Sequence, residues 1–265
     1  MYIDTHCHLN FKAFEEDWEK IADEAVRAGV EKMMVVGADL ETSAKAVELA
    51  EKHKNLWAAA GIHPHHCQNK IDMDKLESLA KNKKVVAIGE CGLDYHIYEK
   101  TKYPDATITP DIKVLQKRLF GQQIQLAKKL GLPMIIHNRE AGEDTLDTLK
   151  HFCKDDGKYP RGVFHCISGS KKLLQKILDL GFYIGIDVNI AYSQEVQILA
   201  VNAPLERILL ETDAPWLTPG PDRSLRNEPI SVKIVAEHLS KLKNMTVEKI
   251  ETETTKNAKK LFKIQ

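Results

Sequence analysis

The chain carries no excess of charge of either sign: 38 Lys and Arg balance 38 Asp and Glu in 265 residues. That balance excludes a protein that coats nucleic acid through charge alone, because non-specific binding to phosphates needs clustered Lys and Arg. It leaves room for an enzyme that grips one phosphate through metal ions. There is no Cys-x-x-Cys pair, and the cysteines (Cys7, Cys67, Cys91, Cys153 and Cys166) are odd in number. A disulfide framework is therefore not expected, and a reducing cytoplasm is the natural setting. No apolar run approaches the length of a membrane span. The first apolar run starts at residue 2, so no secretion signal and no membrane attachment are expected. Low-complexity tracts, blocks of like charge and interdomain linkers are missing as well. Residues 1–265 read as one domain, of a size that suits an α/β barrel.

What is present is a recurrent pattern. Short runs near 2–5, 32–37, 56–61, 84–89, 133–137, 162–166, 182–186 and 207–212 are apolar throughout rather than alternating. Strands covered on both faces read this way. Amphipathic stretches lie between them. In 113–130, Leu115, Leu119, Leu126 and Leu130 share one helical face, with Lys and Gln on the other. Gly29, Gly131 and Gly181 each stand between a helical stretch and the next strand, where glycine stops helices. Strands alternating with helices eight times predict a parallel (β/α)₈ barrel with strand order following the chain. The longest irregular stretch, 96–110, follows the fourth strand; it reads either as a lid or specificity loop or as a solvated insertion. Residues after 225 read as helices covering the outside of the barrel.

Acids and histidines stand at the downstream ends of these runs. His6 and His8 close the first, Glu90 follows the fourth, His137 and His165 the fifth and sixth, and Asp213 the eighth. Active sites of such barrels gather at the strand C-termini. Side chains two apart on a strand point the same way, so His6 and His8 can share a metal while Cys7 points away. Ring closure brings strand eight beside strand one, hence Asp213 beside His6 and His8. The expected site holds one cation on His6, His8 and Asp213 and a second on His137 and His165, with the two oxygens of Glu90 bridging them. Such mixed ligands suit magnesium, manganese or zinc without choosing among them. Paired cations stabilise attacking and leaving oxygens, and coordination lowers the pKa of bound water to about 7. Glu90 and Asp213 are thus the expected catalytic carboxylates, Asp213 orienting the water and taking its proton. His63 and His65 read either as substrate ligands or proton donors, or as loop histidines with structural hydrogen bonds. Arg139 reads as a fork for a phosphate or as a surface ion pair. Cys91 and Cys166 read as small hydrophobes rather than thiolate ligands.

These residues fall in segments that resemble the TatD family of metal-dependent deoxyribonucleases, within the amidohydrolase-like barrels. The segments are DTHCHL at 4–9, GIHPH at 61–65, GECGLDY at 89–95, PMIIHNREA at 133–141, GVFHCISGS at 162–170, ETDAPWLTP at 211–219 and RNEP at 226–229. The resemblance implies a TIM barrel, a two-metal site and phosphodiester hydrolysis, 3′-to-5′ exonuclease action on single-stranded or frayed DNA being the usual assignment. It implies His6, His8, Glu90, His137, His165 and Asp213 as metal ligands, and His63, His65, Arg139 and Asn227 as substrate contacts. Two departures bear on substrate preference: the length of 96–110, and Asp187-Val188-Asn189-Ile190 where many members are richer in glycine. No obligate protein partner is evident. The rival readings are a hydrolase of an ester or amide, such as an aminoacyl-tRNA ester or a lactone, and a non-catalytic metal-binding barrel. Many amidohydrolases are expected to bridge their metals with a modified lysine at the fourth strand; Glu90 stands there and favours the nuclease branch.

Overall fold

A computed structural model describes residues 1–98, 108–155, 157–220, 222 and 224–264. Eight strands form one sheet in chain order: β1 (Tyr2–Cys7), β2 (Val30–Val36), β3 (Leu56–Ala60), β4 (Val85–Asp94), β5 (Met134–Arg139), β6 (Gly162–Phe164), β7 (Tyr183–Ile186) and β8 (Ile208–Leu210). Every neighbouring pair is parallel. The ring closes between the end of β8 and β1. There the Asp213 amide donates to His6 O (2.8 Å), the His8 amide to Ala214 O (2.7 Å), and Cys7 and Ala214 form a parallel bridge. Asp4 reinforces the joint by accepting from the Thr212 hydroxyl at 2.6 Å and the Thr212 amide at 3.0 Å. The fold is the expected TIM barrel.

Helices α1 (Trp18–Arg27), α2 (Leu40–Lys52), α3 (Met73–Ala80), α4 (Pro110–Leu130), α5 (Gly142–Cys153), α6 (Lys171–Asp179), α7 (Gln194–Asn202) and α8 (Val232–Lys243) surround the ring. Within the strands, burial alternates between two cores. Met33, Val35, Ala58, Ile136, Phe164 and Ile184 face the helices, whereas Ile3, Met34, Ala59, Ile135, Val163 and Leu209 form a separate inner cluster. Helix α9 (Val247–Phe262) adds Ala258, Leu261 and Phe262 to that inner cluster and so closes the end of the barrel opposite the strand C-termini. Both faces of each strand are covered, which is why the sequence runs were apolar throughout.

Three local features depart from the sequence reading. Strand β4 does not end at 89: Cys91, Gly92, Leu93 and Asp94 pair with Ile136, His137, Asn138 and Arg139. Glu90 therefore lies within the strand and Asp94 ends it. Gly92 permits this extension, because a Cβ there would stand 2.0 Å from His137 O and its φ is 144°. Second, α4 does not keep all its glutamines in solvent: Gln122 and Gln125 are exposed, but Gln116 and Gln123 are buried. Gln123 is buried and brackets the Ile62 backbone (2.8 and 2.9 Å), and Gln116 does the same to Asp94 (2.9 Å each way), so one helix stitches the ends of β3 and β4. Third, the 96–110 stretch ends at Thr109, which caps α4 by accepting from the Ile112 amide. The reading of its centre as a lid or insertion concerns 99–107, which lie outside the described residues. The expected helix stops at Gly29, Gly131 and Gly181 have φ of 97°, 67° and 85°.

Candidate metal centre

The strand C-termini bring the six expected ligands to one place. The β1 histidines meet with His6 Nε2 and His8 Nε2 3.2 Å apart, while the Cys7 thiol turns outward to Met34 O. Asp213 Oδ1 lies 3.4 Å from His8 Nε2 and 3.7 Å from His6 Nε2. Glu90 divides its carboxylate: Oε2 stands 3.6 Å from His6 Nε2 and 3.9 Å from His8 Nε2, whereas Oε1 stands 2.8 Å from His137 Nδ1 and 3.0 Å from His165 Nε2. His63 Nε2 also approaches Oε1, at 3.8 Å. Asp213 holds φ of 57°, a left-handed conformation uncommon for a residue other than glycine. Its turn is kept by Asn227, which is buried. The Asn227 amide donates to Thr212 O at 2.9 Å, and its carbonyl accepts from the Glu228 amide at 2.9 Å.

The electrostatics follow from crowding imidazoles and carboxylates in a dry space. Burial would raise the pKa of Glu90, but the charge of His165 and hydrogen bonds from His137 and His165 hold it well below the usual carboxylate range. Asp213 is likewise held low, burial being outweighed by His8, His165 and His6. His165 goes the other way: Glu90 and Glu211 overcome burial and push its pKa well up. The pKa of His137 is also raised, by Asp94 and Glu90 against burial. Burial and His137 drive His63 well down, so it is neutral near pH 7.

The donor set fits divalent cations. Ligand atoms of His6, His8 and Glu90 all lie within 4.8 Å of one another, as do those of His63, Glu90 and His137, and those of His6, His165 and Glu211. The buried His6 Nδ1 and Glu211 Oε2 make no hydrogen bond among the described residues.

Three residues of this centre were not among the expected ligands or substrate contacts. Asp94 Oδ2 accepts from His65 Nε2 (3.0 Å), His137 Nε2 (3.1 Å) and the Tyr98 hydroxyl (2.8 Å). Glu211 accepts from the Cys166 amide at 2.6 Å and faces His165 Nδ1 at 3.5 Å. Glu211 fits because Gly185 has no side chain; a Cβ there would stand 2.3 Å from its carboxylate. Asp187 joins Cys166 and Glu211 in a further buried cluster, and burial with the nearby Glu211 charge pushes its pKa up to about 6. A signal existed for two of them: Asp94 shares a motif with Glu90, and Glu211 shares one with Asp213.

Of the expected substrate contacts, His63 and His65 face the centre. Arg139 is exposed on the rim, its Nη1 donating to the Tyr98 hydroxyl at 2.9 Å. Asn227 is buried, and its amide is bonded to backbone groups, as described above. The TatD related DNase family model matches residues 3–263. The chain belongs to the TatD family. It is 39% identical to the metal-dependent hydrolase YabD of Bacillus subtilis over the full length of both. It is 34% identical to the 3′-5′ ssDNA/RNA exonuclease TatD of Erwinia amylovora, covering 98% of this chain and 99% of that one. The crystal structure of the TatD homolog YjjV from Escherichia coli K12 superposes with a TM-score of 0.87 at 31% identity, covering 100% of this chain and 98% of that one. As a TatD family protein it is a metal-dependent hydrolase. Among the described residues no helix is long and apolar enough to cross a membrane.

Proposed function

We propose that this protein is a phosphodiesterase that trims single-stranded or frayed DNA from the 3′ end with two divalent cations. The observation that carries this reading is the divided Glu90 carboxylate, with one oxygen toward the β1 histidines and the other toward His137 and His165. His6, His8 and Asp213 would hold one cation, and His137 and His165 the other. Bound there, the cations would supply positive charge to phosphate oxygens and acidify a water.

The remaining work falls to side chains. Asp213, half-buried and kept ionised by His8, accepts a hydrogen bond from the attacking water and orients it. His63 Nδ1 accepts from the His65 amide at 3.2 Å, so Nε2 carries the proton and turns it toward the centre without adding charge. Arg139 offers a phosphate a guanidinium beside Tyr98. A chain of balanced charge suits strand ends rather than long duplex tracks. The exonuclease name carried by the Erwinia amylovora relative supports the same assignment. None of the five cysteines forms a disulfide, which supports a cytoplasmic setting.

The test is an end-labelled single-stranded oligonucleotide with magnesium, manganese or zinc, run beside a lactone and an aminoacyl ester. Stepwise release of mononucleotides from the 3′ end is expected. Turnover of the lactone or ester with intact DNA would replace the reading.

A further inference from the structure

The carboxylate of Asp94 is fully buried and touches none of the His6, His8 or Asp213 side chains, yet it gathers hydrogen bonds from three segments. Oδ2 accepts from His65 after β3, His137 on β5 and Tyr98 after β4, while Oδ1 accepts from the His96 amide at 2.9 Å. Its backbone is fixed on both sides by Gln116 of α4, and by ladder pairing with Arg139. The donors around Oδ2 already occupy it, and the chain that carries it is held rigidly.

The consequence falls on His137. Its ring stands between two carboxylates, Nδ1 2.8 Å from Glu90 Oε1 and Nε2 3.1 Å from Asp94 Oδ2. An ionised carboxylate only accepts, so the nitrogen facing Asp94 must carry a proton. Nδ1 faces Glu90, which also only accepts, so in the metal-free protein both nitrogens donate; a cation shared with Glu90 would displace the Nδ1 proton and leave the one held by Asp94. A histidine that binds metal gains orientation and basicity when its far nitrogen donates to a carboxylate.

Resting on the cation-site reading above, we infer that Asp94 is a positioning residue for the metal centre: by holding His137 Nε2–H it selects Nδ1 as the ligating atom and sets the ring's direction. The same carboxylate ties this setting to the rim, since the Tyr98 hydroxyl that it receives also takes the Arg139 guanidinium.

The experiment titrates the metal-free protein with cobalt(II), following the visible absorption bands, for the parent and for Asp94→Asn. Loss of about ten- to a hundred-fold in affinity for one equivalent of cobalt is expected, the other equivalent staying within about twofold. Activity of the variant should return toward the parent's as the metal concentration rises, which a catalytic role would not allow. Both equivalents binding Asp94→Asn as tightly as the parent would overturn the proposal. Should the variant not fold, histidine ¹⁵N spectra of the zinc-loaded parent decide: His137 protonated at Nε2 and metallated at Nδ1 supports it, the reverse tautomer sinks it. A parent that binds no cation at all would instead remove the reading on which it rests.

Discussion

Glu90 spends its two oxygens on two different sets of histidines, and an amide cannot copy that. Glu90→Gln keeps the shape, replaces one oxygen with a donor and removes the negative charge between the sites. A loss of about 3 kcal/mol in charge stabilisation corresponds to a fall in kcat of about a hundredfold. Single-turnover kinetics on a short oligonucleotide would measure it, and a change below about threefold would contradict the bridging role. Protonation makes a second test at the same scale. In the metal-free protein His165 is held protonated by Glu90 and Glu211. A cation needs its lone pair, so loading must expel a proton and affinity must climb with pH. Calorimetry in two buffers of different ionisation enthalpy should show net proton release near pH 7. The linked effect on folding has a definite sign. A raised histidine stabilises fully below its unfolded value of about 6.5 and ceases to do so as pH rises through the folded value. Asp187, raised to about 6, acts in the same direction over lower pH, from about 4 upward. Glu90 and Asp94, held low, contribute above about 4 and fail as acid titrates them. The Tm of protein kept in chelator should therefore decline on both sides, in acid through the carboxylates and above neutrality through His165.

At the level of elements, the turn after β8 decides where Asp213 stands. Asn227→Ala removes the amide that bonds Thr212 O, at 2.9 Å. Leaving that buried carbonyl unmet costs about 1–3 kcal/mol. The variant should unfold at lower urea and lose kcat, while KM for an oligonucleotide stays the same; a raised KM with unchanged stability would return Asn227 to the substrate. The resemblance alone put this residue at the mouth, because a motif does not show which partners an amide has already taken. Strand positions, by contrast, could be read directly, since a strand covered on both faces must be apolar along its length. The end of β4 was hidden for the complementary reason: Gly89, Glu90 and Gly92 interrupt the apolar run although the ladder to β5 continues. Asp94 was missed with it. The six expected ligands could be picked out because each stands at, or within a few residues of, the end of an apolar run. The buried glutamines of α4 were not, because helical periodicity alone cannot tell a polar side chain facing solvent from one that bonds a strand's backbone end.

Over the whole molecule, balanced charge sets the response to salt. With 38 basic and 38 acidic residues, the chain carries no net charge to draw phosphate beyond the centre and Arg139. A protein with six to ten phosphate contacts loses about 10³–10⁵ in affinity between 50 and 200 mM salt. Here the loss for a single-stranded oligonucleotide should stay below about tenfold, measured by fluorescence anisotropy at fixed metal; a steep slope would mean many phosphate contacts and contradict this expectation. The joint of the ring has a consequence of its own. The backbone bonds that close the cylinder, Asp213 to His6 and His8 to Ala214, belong to the same two segments that present His6, His8 and Asp213. An ion clasped by those side chains would act as a rivet through a hoop, fastening the first segment of the chain to one more than two hundred residues later. Loading the protein should then slow amide exchange at His8 and Asp213 more than at the long β4–β5 ladder, which needs no such fastening.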